Sequence, residues 1–382
     1  MTGLVRLAFA AFFFFYFAYI GLMSPYSSLY FASKGMGPIE IAALMSMFQI
    51  TRIMGPFAWG WLADMLQDRL GIIRMTSLAA CFIFSAIFFL EDYIALLVWM
   101  FLLNIVISSL MPLGEAATVH ALYQDNGFDK RYGRLRLWGS LGFITMVMSA
   151  GAWFEAYGIQ SLPWFGLSAL IVMTVLTMLL REPKMEVTEQ VVIKFSLVIK
   201  DKYLQWFLSA NFWMIFAHAC FYVFYSLYLD QLGYSKAEIG FLWMLGVLAE
   251  VIFFFYQSHF FARFSTKQIL IATYLIAVLR FALMAYYPNV IVLVIAQLMH
   301  AATFGAHHSA SIKMLQTWFS GPLQARGQAL YTTVSYGIGG TVGGLCAGWI
   351  WEHWAPEHVF GLAALASFFG YVCMQRVKSK SN

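Results

Sequence analysis

The chain has 382 residues, 62% of them hydrophobic and only 11% charged, with a mean hydropathy of +0.74. A soluble domain carries about 25% charged residues, so this composition excludes one and defines an integral membrane protein. The formal charge of +5 reads as membrane topology and contact with anionic lipid rather than as nucleic-acid binding.

A membrane-spanning helix needs roughly 20 predominantly apolar residues. Twelve such runs are predicted, near 5 to 31, 38 to 63, 72 to 90, 93 to 122, 133 to 155, 162 to 180, 204 to 230, 236 to 258, 268 to 286, 290 to 314, 323 to 350 and 357 to 376. With a cytoplasmic N-terminus, 18 Lys and Arg fall in inside segments, and only Lys34 and Lys236 fall outside. That split obeys the positive-inside rule and places both termini in the cytoplasm. The first apolar run is too long for a signal-peptide core and leads to no small-residue cleavage site. Cys81, Cys220, Cys346 and Cys373 all lie within spans, so neither a disulfide framework nor a metal site is expected.

The stretch from Ser28 to Arg52 recurs 198 residues later. Ser28, Leu29, Tyr30, Gly35, Glu40, Ile41 and Leu44 fall on Ser226, Leu227, Tyr228, Gly233, Glu238, Ile239 and Leu242. A repeat of that period is half the molecule. Each copy ends on one ionisable residue inside an apolar run, Arg52 in the first and Glu250 in the second, which suggests a polar site on the pseudo-symmetry axis. The longest polar stretch follows the sixth run. The chain therefore divides into a six-helix bundle at 1–181, a cytoplasmic linker at 182–203 and a second six-helix bundle at 204–382. Two such halves form the layout of major facilitator transporters, which bind substrate near mid-membrane. The expected fold is all-α, with 12 transmembrane helices in two pseudo-symmetric bundles.

After the second run the sequence reads Gly60, Trp61, Leu62, Ala63, Asp64, then Asp68, Arg69, Leu70, Gly71 and Arg74. This resembles the facilitator loop in which a glycine, an aspartate and basic residues form a cytoplasmic gate. Asp64 would cap a neighbouring helix or pair with a cation, with Arg69 as a gating partner; the alternative is an ordinary charged loop. Glu115 lies about two turns from the inner end of the fourth span and Arg136 about one turn into the fifth, so their depths match. A charge inside a span costs a few kcal/mol and usually faces a partner or a water-filled path. Ser140 and Phe143 follow Arg136 on the same helix face, adding a hydroxyl and a ring. Either these residues bind substrate or the ion pair clamps the two helices.

Pro112, Leu113, Gly114 and Glu115, followed by Tyr132 to Gly139, resemble the proton-coupled sugar permeases typified by lactose permease. That resemblance implies that Glu115 and Arg136 hold substrate and that Phe143 stacks on it. Gly240 to Val251, with Leu298, His300, Thr303, Phe304 and His308, and Arg52 in mid-helix, are similar to the branch containing the bacterial 3-phenylpropionic acid transporters.

A proton symporter needs a group that loads and releases a proton. The candidates are Glu250 on the eighth span, Arg280 on the ninth, and His300, His307 and His308 on the tenth. The lactose-permease pattern carries a glutamate three residues after the histidine, whereas Thr303 stands there in this chain. The proton therefore falls to Glu250 or to a histidine, or transport is uncoupled. His218, alone among aromatics, reads as structural. Arg52, Arg136 and Arg280 outnumber Glu115 and Glu250, and a monocarboxylate cargo would restore balance. Gly337, Gly339, Gly340, Gly343, Gly344 and Gly348 would let the eleventh helix approach its neighbours closely.

The expected function is proton-coupled import of a small organic solute across the bacterial inner membrane. An aromatic carboxylate such as 3-phenylpropionate is preferred, with a nucleoside or sugar as the alternative. The expected partners are that solute, protons and the lipid bilayer, with the chain working as a monomer. No cofactor, catalytic site or nucleic-acid partner is expected.

Overall fold

The computed structural model describes residues 3–123, 128–182, 199–319 and 323–378. Eleven helices among them are long and apolar enough to cross a membrane. They are α1 (Val5–Ser33), α2 (Pro38–Leu66), α3 (Arg69–Phe88), α4 (Tyr93–Leu122), α5 (Tyr132–Tyr157), α6 (Ile159–Thr177), α7 (Lys202–Gln231), α8 (Lys236–Arg263), α9 (Thr266–Tyr286), α10 (Val290–Leu315) and α12 (His358–Gln375). The remaining run, α11 over 324–353, is also helical but carries Gln324, Arg326 and Gln328 among its glycines, so its apolar character is diluted. Most of the linker expected at 182–203, namely 183–198, lies outside the described residues.

The repeat seen in the sequence is a repeat of backbone geometry. Gly35 and Gly233 both take the left-handed region, at φ 84° and 86°, where a side chain would be strained. In each copy a helix ends on such a glycine and a backbone bond spans it, Met36 to Phe31 at 3.2 Å and Tyr234 to Leu229 at 3.0 Å. This satisfies carbonyls that the helix end would otherwise orphan. The following helix opens with the same cap twice. Glu40 accepts from the Gly37 N–H, and Glu238 accepts from the Ser235 N–H, both at 2.8 Å.

By contact density the chain separates into two compact units. One holds α1–α6 together with Leu229–Met244; the other holds the rest of α7–α12. In each, glycines permit a close helix crossing. A Cβ at Gly142 of α5 would run into the Phe14 carbonyl of α1, and one at Gly343 of α11 would run into the Phe216 carbonyl of α7. Without side chains at these points the backbones approach closely, and dispersion and interhelical contact supply the stability that the hydrophobic effect cannot supply in lipid. Two stretches depart from the α-helix. Ala301–Ala306 in α10 and Thr332–Gly339 in α11 are π-helical, a geometry often found at functional positions.

Candidate functional site: two polar clusters in the membrane

In the first unit, α4 brings Glu115 to Arg136 of α5, with Nε to Oε1 at 3.3 Å and both side chains about a third exposed, at 37% each. The Tyr132 hydroxyl also bonds to Glu115. Phe17 of α1 lies under the guanidinium, its centroid 4.3 Å from Cζ. Phe143, expected as the stacking ring, is instead buried against Gly21 of α1. Ser140 is half-buried one turn beyond Arg136. Arg52 of α2 lies over the Phe48 ring at 4.4 Å. Tyr16 of α1 is within electrostatic reach of Arg52, Glu115 and Arg136, so four helices contribute to one polar patch.

At the turn between α2 and α3, α3 is capped by Asp68, which accepts from the Gly71 N–H at 2.8 Å. Asp64 stays exposed. Arg69 bonds to Glu182 at 2.8 Å, and His120 shares the same carboxylate oxygen at 2.9 Å. The aspartate and arginine expected to gate are therefore not brought together. A carboxylate from beyond α6 holds the arginine instead.

The second cluster is drier and more connected. Arg280 of α9 is fully buried. Its Nη1 donates to His300 Nδ1 and to Thr303 Oγ1, each at 2.9 Å. His300 Nε2 lies 2.8 Å from Glu250 Oε1, so α8, α9 and α10 meet at one imidazole. A guanidinium can only donate. His300 Nδ1 must therefore accept, the ring is neutral, and its remaining proton sits on Nε2 facing Glu250. The same logic continues beyond Thr303. Having accepted from Arg280, the hydroxyl turns its own proton to His218 Nε2 at 3.3 Å, and His218 Nδ1 donates to the Met214 carbonyl at 2.9 Å. His218, read from the sequence as structural, is thus part of the cluster.

The π-helical turns of α10 stack His300, Phe304 and His308 in one column, with centroids 5.4 Å and 6.4 Å apart. Regular α-helical spacing assigns His300 and His308 to different stripes. His308 Nδ1 lies 3.3 Å from the Tyr336 hydroxyl of the π-helical segment of α11. His307 turns to Tyr274 of α9 at 3.2 Å.

A bundle of long apolar helices with ionisable groups at intermediate depth is the architecture of a polytopic transporter of the major facilitator class. The chain belongs to that class by sequence: the model of the MFS_1 like family matches residues 6–362. The chain is 27% identical over 365 residues to the probable 3-phenylpropionic acid transporter of Escherichia coli (strain K12), covering 93% of each chain. It is 21% identical over 374 residues to the maltose permease of Geobacillus stearothermophilus, covering 97% of this chain and 93% of that protein. In fold it is similar to the crystal structure of the nucleoside transporter NupG, with a TM-score of 0.86 and 16% identity over 99% of this chain and 100% of that one.

Proposed function

We propose that this transporter couples import of a small organic solute to the proton gradient, and that an aromatic carboxylate such as 3-phenylpropionate is its preferred cargo. The observation that carries the coupling is the Glu250–His300–Arg280 chain of contacts. Arg280 holds the imidazole neutral, so the carboxylate of Glu250 is the group left to load a proton. His300 positions it. Protonating His300 would require breaking its contact with Arg280, because the ring would then face a second donor.

Cargo contacts fall to Arg52, Glu115, Arg136 and Ser140, with Phe17 beneath Arg136 taking the ring role expected of Phe143. His308, in the same stacked column as His300, is a second coupling residue. Arg69, held by Glu182 rather than by Asp64, is the inner-gate residue of this reading. The working halves are 1–181 and 204–382, the membrane is the bacterial inner membrane, both termini are cytoplasmic, and the chain acts as a monomer. An aromatic acid is favoured by the excess of Arg52, Arg136 and Arg280 over Glu115 and Glu250 within the spans and by the probable 3-phenylpropionic acid transporter among the relatives. A nucleoside or sugar is the second reading, favoured by the nucleoside transporter and the maltose permease.

The test is uptake into proteoliposomes of radiolabelled 3-phenylpropionate, a nucleoside and a disaccharide, each with and without an imposed pH gradient. Gradient-driven accumulation of the acid is expected. Accumulation of the nucleoside or the disaccharide alone would replace the cargo, and uptake indifferent to the gradient would remove the coupling.

A further inference from the structure

Arg280 uses only one of its nitrogens. Nη1 serves both His300 and Thr303, while Nε and Nη2, fully buried, have no hydrogen-bond partner among the described residues. These two atoms form the side-on fork of a guanidinium, two parallel N–H donors whose spacing matches the oxygens of a carboxylate. Leaving such donors unmet in a buried site costs more than an ordinary unmade bond, because the group is charged. The guanidinium is also held in place, with the Phe221 and Phe281 centroids 4.6 Å and 5.1 Å from Cζ. A rigid, desolvated fork is well prepared to receive an anion, since little side-chain freedom is left to lose on binding.

Charge in the cluster sets a condition on that anion. Arg280 carries one positive charge, Glu250 one negative charge when ionised, and His218 and His300 are neutral in the bonding pattern described above. Among the groups near Glu250 are His300 of α10 and Arg280 of α9, with Tyr222 and Tyr225 of α7 beside Arg280. Tyr222 also approaches His300 at 3.5 Å. An added carboxylate would leave this desolvated cluster with a net negative charge, which is costly in a low-dielectric site. A proton on Glu250 removes that cost.

We propose that the Nε–Nη2 fork of Arg280 is a carboxylate-binding site of this transporter, and that it fills when Glu250 is protonated. This rests on the coupled-transport reading above and deepens it, because cargo recognition and proton loading then share one guanidinium. Thr303 makes this possible. A hydroxyl offers Nη1 an acceptor without bringing a second carboxylate to occupy the fork. Monocarboxylates are therefore the substrate class, and neutral analogues of the same shape are rejected.

Binding is measured by calorimetry on the full chain in nanodiscs, with 3-phenylpropionate and its neutral primary amide as probes. Wild-type protein is expected to bind the acid at least about tenfold more tightly than the amide, in keeping with the greater strength of charge-assisted bidentate bonds. Arg280→Lys is expected to lose about tenfold in acid affinity, since an ammonium cannot reproduce the planar fork. In weak buffer, acid binding should take up a proton in the wild type and none in Glu250→Gln. Equal binding of acid and amide by the wild type would overturn the site and leave the fork to water. Acid binding without proton uptake would overturn the link to Glu250.

The wild-type arms keep the test valid if a variant fails to fold. Acid binding that discriminates against the amide, together with uptake indifferent to a pH gradient, would leave the site standing and remove the coupling. Gradient-driven nucleoside uptake with no binding of the acid would keep the coupling and remove the site.

Discussion

The two halves of the chain share a hairpin and differ in their polar chemistry. The turns at Gly35 and Gly233 have nearly the same φ, the same bridging bond and the same glutamate cap. Deeper in each half, the likeness ends. The Glu115–Arg136 pair is open to the surroundings at 37% exposure on both sides, whereas Arg280 is fully buried and the His300 and Glu250 side chains beside it are 7% and 15% exposed. An exposed pair can exchange its partner for a cargo at little cost, because a solvated ion pair contributes only about 0–1 kcal/mol. A buried pair cannot lose one charge without leaving the other uncompensated. The first arrangement suits reversible exchange of partners, and the second suits anion binding linked to a change of charge.

Truncation separates the two sites most sharply. Glu250→Ala leaves Arg280 without its nearby anion and is expected to lower stability by about 3–5 kcal/mol. Glu115→Ala in the open pair is expected to cost about 1 kcal/mol or less. Thermal unfolding of the two variants in the same lipid checks this, and similar losses would erase the distinction between open and closed sites.

The glycine crossings come next. Gly142→Leu and Gly343→Leu each force a side chain into a facing carbonyl and should cost about 1–3 kcal/mol each. The two should be alike if α1 with α5 and α7 with α11 are equivalent, and thermal unfolding would show it. Arg136→Lys is expected to weaken cargo affinity by about tenfold, since the planar two-point contact is lost. Unchanged affinity in a binding titration would make the Glu115–Arg136 pair a clamp rather than a cargo site. The smallest effects belong to the shared turns. Gly35→Ala and Gly233→Ala should each cost about 1–2 kcal/mol, the penalty of a Cβ in the left-handed region, and the two values should agree closely in chemical denaturation.

Much of this was legible in the sequence because a membrane imposes long apolar runs, and a duplication preserves its turns. Gly35, Glu40, Gly233 and Glu238 announced the repeat because a positive φ and a cap need those residue types. The eleventh helix was harder to read by hydropathy because its polar start and glycines dilute it. Equal depth was enough to pair Glu115 with Arg136, since they sit on consecutive helices.

The partners of the buried cluster come from four helices, and no spacing rule joins Glu250 on α8 to His300 on α10. Phe17 under Arg136 was missed for a related reason, as a ring from α1 has no periodic relation to α5. His218 carried a readable signal, a polar ring inside an apolar run, yet its bond to Thr303 depends on how α7 packs against α10. Glu182 stood at the edge of a polar stretch and read as linker, although its carboxylate turns inward to Arg69 and His120.

The most direct measurement is accumulation of labelled 3-phenylpropionate in proteoliposomes under an inward proton gradient, comparing wild type with Glu250→Gln and following exchange in parallel. The wild type should concentrate the acid above equilibrium, while Glu250→Gln should exchange it but reach only equilibration. Equal concentration by both proteins, or a wild type that ignores the gradient, would contradict a proton carried on Glu250.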